Sequence, residues 1–87
     1  MDAATLKALQ IAHARSTLAL RLEALAGAES AKRAGDGKAV RSWEAQVRKL
    51  DKLIREYGLS RYGEGFETPE DLRASVAQVL SSEKLRD

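Results

Sequence analysis

The chain has a single proline, Pro69, and six glycines in 87 residues. Proline removes a backbone donor and clashes with the preceding helical turn, and glycine weakens a helix interior, so their positions decide where helices can run. Five glycines fall in two short stretches, at 35–37 and 58–65, while Gly27 stands alone. The segments between are rich in Ala, Leu, Lys and Arg, all strong helix formers. This pattern predicts an all-α chain forming one domain over residues 1–87. Helix 1 is expected over about 2–34 and helix 2 over about 38–57. A linker at 58–67 leads to helix 3 over about 69–82.

Periodicity assigns the faces. In helix 1, Ala4, Ala8, Ile11, Leu18, Leu22 and Leu25 follow a spacing of three and four, interrupted by Arg15. Leu6, Leu9, His13, Leu20, Ala24 and Ala31 lie along nearly the opposite face. A helix with two apolar faces must be covered twice. Gly27 between them marks a bend or the close approach of another backbone. In helix 2, Val40, Trp43, Val47, Leu50, Ile54 and Tyr57 form an unbroken a/d seam. Glu44 with Arg48, and Asp51 with Arg55, are i,i+4 pairs in the favourable order.

The stretch "AGDGK", residues 34–38, is the one place that looks like a phosphate loop. A phosphate loop needs G-x-x-x-x-G-K-[ST] following a strand. Here Lys32 stands five before Gly37, Ala39 follows Lys38, and a helix precedes the motif. The stretch reads as a turn, with Gly35 suited to close helix 1 and Asp36 to cap helix 2. Gly58 suits the end of helix 2, and "TPED" at 68–71 opens helix 3 with Thr68 as N-cap and Pro69 at the first helical position.

Few residues look chemical. His13, the single histidine, has Leu and Gln at positions 9 and 10 where an orienting acid would stand, so it reads as a packing or interface residue. Without cysteine there is neither a disulfide framework nor a thiolate metal site, and no cofactor is expected. Arg41, Arg48, Lys52 and Arg55 form a basic stripe on the outer face of helix 2, spaced to track a nucleic-acid backbone. Glu44 and Asp51 lie within it, which favours a solvated face laced with ion pairs. Tyr57, Tyr62 and Phe66 cluster around the linker, either pinning it to the helices or offering a partner a hot spot. Trp43, on the helix 2 seam, is expected in the core.

Charge is uneven along the chain. Residues 1–58 carry eleven Lys/Arg against seven Asp/Glu, a net +4, and residues 59–87 carry four against six, a net −2. Dedicated nucleic-acid binders concentrate more positive charge. The N-terminus lacks the pattern of a signal peptide and no apolar run approaches membrane-spanning length, so a cytoplasmic setting without membrane contact is expected.

The segment "LEALAGAESAKRAGDGKAVRSWEAQVRKLDKLIREYGL", residues 22–59, resembles a helical hairpin of small bacteriophage proteins, small terminase subunits among them. The resemblance lies in the Ala-rich stretch, the "AGD" turn and the Leu/Arg-rich return helix ending in "YG". It implies ring assembly, viral DNA recognition and regulation of a packaging motor. The N-terminal helix-turn-helix of that group has no counterpart, because helix 1 occupies the region, so the implied DNA recognition is not carried over to named residues.

Lengths complete the reading. Helix 2, at about 20 residues, is nearly 20 Å shorter than helix 1 at about 33. Folded back, it leaves Leu6, Leu9 and Ile11 beyond its reach, and helix 3 can return over part of this overhang. The far face of helix 1, with Leu6, Leu9, His13 and Leu20, then needs another cover. A non-enzymatic protein is expected, associating through that face with itself, as a dimer or larger, or with another protein.

Overall fold

The computed structural model of the protein describes residues 2–84. Met1 and residues 85–87, part of the expected single domain, lie outside the described residues. The fold is all-α, with α1 at Ala3–Arg33, α2 at Gly37–Tyr57 and α3 at Pro69–Lys84. The expected linker contains a short 3₁₀ turn, Leu59–Gly63, between α2 and α3.

The caps explain these limits. Asp2 accepts a hydrogen bond from the Thr5 amide at 2.7 Å, satisfying a donor at the start of α1. At the other end Gly35 sits at φ +70°, where a side chain would be strained. Its amide donates to the Lys32 carbonyl and the Asp36 amide to the Ala31 carbonyl, the paired bonds of a Schellman closure. The Asp36 carboxylate then accepts from the Ala39 amide at 3.0 Å and begins α2. One short turn thus ends one helix and starts the next. Thr68 caps α3 through the Asp71 amide at 3.1 Å.

Helix α1 is the shared partner of the other two, and both run antiparallel to it. Along α2, Ile54 clusters with Ala14, Asp51 bonds Arg21, and Trp43 lies on Gly27. Position falls on α2 as it rises on α1, as an antiparallel hairpin requires. Along α3, Arg73 meets Glu23 and Ser75 meets Arg15. Helices α2 and α3 make no extensive contact with each other. The molecule is elongated, 49 × 24 × 21 Å, because α1 alone is about 46 Å long at 1.5 Å per residue.

The core is built from small residues. Ala12, Ala14, Thr17, Ala19, Ala24, Ala28 and Ala31 are the buried positions of α1, against Leu50 and Ile54 of α2, Leu59 of the 3₁₀ turn and Leu72 of α3. Alanine lets helices approach closely, so stability rests on close backbone packing rather than on large interdigitating side chains.

Two expectations about the α2 seam are corrected here. Trp43 is 41% exposed rather than fully in the core, and Tyr57 is 68% exposed. The helices approach over alanine and glycine, leaving no pocket deep enough for an indole. The ring instead lies flat over Gly27, where an added Cβ would stand 2.5 Å from the indole Cε2. Gly27 therefore marks a close approach, of a ring rather than of a backbone. The middle of the seam, Leu50 and Ile54, is buried.

Candidate functional site

The second apolar face of α1 is split by the fold. Its C-terminal members, Ala24 and Ala31, are buried, while Leu6, Leu9, His13 and Leu20 are exposed. At 100° per residue the four exposed side chains share an arc of about 60° on the helix. Their exposure is substantial, at 51% for Leu6 and 43% for Leu20.

Helix α2 extends this face sideways. Leu53 and Tyr57 are exposed beside it, and together with His13, Thr17 and Leu20 they border a groove of about 770 Å³. Leu50, Leu59 and Tyr62 form its floor, with Gln10 and Arg61 completing the lining. The Thr17 hydroxyl donates to the His13 carbonyl at 2.9 Å, so this buried polar group is satisfied within its own helix. What the groove offers is apolar: leucine and aromatic surface in a trough beside an uncovered helix. Its chemistry suits the burial of another apolar element. The α2 helix ends level with His13, and Leu6 and Leu9 project beyond it.

Compared with protein-family models, curated proteins and solved structures, the chain matches none.

The basic stripe lies where the spacing predicts: Arg41, Arg48, Lys52 and Arg55 are all exposed. Its expected ion pairing is different. Asp51 turns inward to Arg21 of α1 instead of pairing with Arg55, and Lys52 reaches Glu56 at 4.0 Å. A cation on the neighbouring helix competes successfully with one on the same helix, because the tie also joins α1 to α2. Among the aromatics, Tyr62 packs on the core and Phe66 is half-buried, so these two pin the linker. Tyr57 belongs to the exposed groove.

Arg15, which interrupts the apolar stripe of α1, is the main tie between α1 and the linker. Its Nε donates to the Tyr62 carbonyl at 2.9 Å and its Nη1 to the Ser75 hydroxyl at 2.6 Å. Its guanidinium lies over the Phe66 ring, 4.8 Å from the centroid. One side chain thereby fixes the 3₁₀ turn, the linker and α3. Nearer the hairpin end, Arg73 of α3 donates to Glu23, with Nη2 to Oε1 at 2.7 Å. The hydrogen bond from Arg73 holds the Glu23 carboxyl below its ordinary value.

Proposed function

We propose that this chain is a non-enzymatic association module that acts by packing the open face of α1, and the adjoining end of α2, against a helix of a protein partner. The observation that carries the reading is the coincidence of exposed Leu20, Leu53 and Tyr57 around one apolar groove with exposed Leu6 and Leu9 farther along the same face of α1. Isolated exposed leucines are ordinary, but a continuous set on two elements is a mark of an interaction surface. Burying the exposed half of each of the four leucines is worth about 1 kcal/mol apiece, and a matching apolar partner doubles the sum. That total is comparable with the cost of bringing two proteins together. No helix of the described residues is long and apolar enough to cross a membrane. The resemblance of residues 22–59 to phage hairpins supports assembly of a bacteriophage component as the setting, in the host cytoplasm or the virion.

The test uses Leu9→Glu with Leu20→Glu. Both positions are exposed, so the double variant keeps its helical circular dichroism. Immobilised wild type should retain a defined chain, its own or another, and the double variant should not. Identical retention by the two proteins would defeat the reading.

A second reading is favoured by one observation: Asp51 is drawn to Arg21, leaving Arg55 less neutralised than the helix spacing implies. Arg41, Arg48 and Arg55 then present exposed cations at intervals of about 10 Å along α2. A nucleic-acid role through this stripe predicts an affinity that falls steeply with added salt, and loss of binding in Arg48→Glu with Arg55→Glu.

A further inference from the structure

The association reading leaves the occupant of the open face to be named, and the inference here rests on that reading. We propose that the occupant is a second copy of this chain, laid antiparallel along α1 with a two-fold axis passing beside His13.

The spacing of the exposed residues is what selects this arrangement. Leu6 and Leu20 each stand seven residues, two helical turns, from His13. Two antiparallel helices centred on His13 set Leu6 against the partner's Leu20 at both ends of the contact, and the two histidines meet on the axis. Such a contact is self-complementary, as a two-fold dimer requires. The four residues carry no charge, and Arg61, the charged side chain in the lining of the adjoining groove, is exposed to solvent. Two neutral imidazoles can share a hydrogen bond across the axis, since each has one donor and one acceptor nitrogen.

The unequal helix lengths point to the same arrangement. Leu6 and Leu9 overhang the end of α2, whereas Leu53 and Tyr57 are exposed beside the His13–Leu20 half of the face. Antiparallel overlap lays the overhang of each copy beside the α2 end of the other, and brings Leu53 to the partner's Leu9. A parallel pair would set each overhang against its own counterpart, out of reach of Leu53 and Tyr57. Only the antiparallel register covers both exposed sets in one contact.

The absence of cysteine makes disulfide trapping a direct test. Under mild oxidation His13→Cys should form a covalent dimer, because a residue on the axis meets itself at a distance a disulfide can span. Leu6→Cys and Leu20→Cys should each stay largely uncross-linked alone. Mixed in equal amounts, they should give at least about tenfold more covalent dimer, joined between positions 6 and 20, than either gives alone. Ser42→Cys, on α2 away from this face, supplies the background yield. Should His13→Cys fold poorly, the mixed pair carries the test unaided. Self-linking of Leu6→Cys and of Leu20→Cys as strong as in the mixture would overturn the antiparallel register. A wild-type chain that sediments as a monomer at hundreds of micromolar would overturn the second-copy inference, while the retention experiment above would still decide the association reading.

Discussion

Arg15 shows how much of this fold hangs on one side chain. A cation in an apolar stripe is expected to reach solvent, yet this one bonds a backbone carbonyl, a buried hydroxyl and an aromatic face at once. Its planar fork is what makes the three contacts compatible, and lysine has no equivalent geometry. Arg15→Ala should cost about 2–3 kcal/mol, the range for hydrogen bonds to a charged group, and leaves the Ser75 hydroxyl without its donor. Arg15→Lys should recover less than half of that loss in urea denaturation. Full recovery by lysine would mean that charge alone matters and that the fork and the ring stacking contribute nothing. The sequence held one clue to this role, a cation breaking a regular stripe in a chain whose linker carries two aromatics. The clue named the residue but could not name its partners, which stand 47 and 60 positions away.

At the scale of elements, among the described residues α1 is tied to each neighbour by one cross-helix ion pair, Arg21 with Asp51 and Glu23 with Arg73. The second gives a pH signature. The folded-state pKa of Glu23 lies below its ordinary value of 4.5, with the Arg73 hydrogen bond as the largest cause. Its contribution is therefore present above the unfolded value and is lost as pH falls through the folded one. The stability difference between wild type and Glu23→Gln should shrink on acidification below about pH 4.5, and thermal melts across that range would show it. A difference independent of pH would remove Glu23 from the acid response. Most element boundaries were legible because they are set locally: Gly35 and Asp36, Gly58, Thr68 and Pro69 act through bonds within a few residues. The exposure of Trp43 and Tyr57 was not legible. Heptad spacing says which side of α2 faces α1, but not that the opposing surface is alanine and glycine, over which a wide ring must lie flat. The pairing of Asp51 was hidden for a similar reason, since Arg55 and Arg21 are equally good partners by charge, and packing decides between them. The exposure of Leu6 and Leu9 was legible from helix lengths, and that of His13 and Leu20 from their place on the second apolar face of α1.

For the whole molecule, the layout makes α1 a spine with two largely independent attachments. Helix α2 is held by Leu50 and Ile54, and α3 by Leu72, the largest fully buried side chain among the described residues. Because α2 and α3 share no extensive contact, loosening one has no direct route to the other except through α1. Helix α3 is also the easier to release. Beyond Leu72 it is held by the half-buried Val76, Val79 and Leu80, by the Arg15–Ser75 bond and by the Glu23–Arg73 pair, which is exposed to solvent. Local opening draws on such lightly held elements first. Leu72→Ala should cost about 2–5 kcal/mol, as for other buried leucines, and the cost should fall unevenly along the chain. Amide hydrogen exchange should become fast throughout α3, while the protected amides of α2 and of the C-terminal half of α1 remain slow. The hairpin would then persist with α3 detached, and the open face of α1 on the side of Leu9 and Leu20 would stay intact. Uniform acceleration across all three helices would show instead that the spine and both attachments unfold as one unit, so that the alanine-lined contacts with α2 depend on α3 to hold α1 in place.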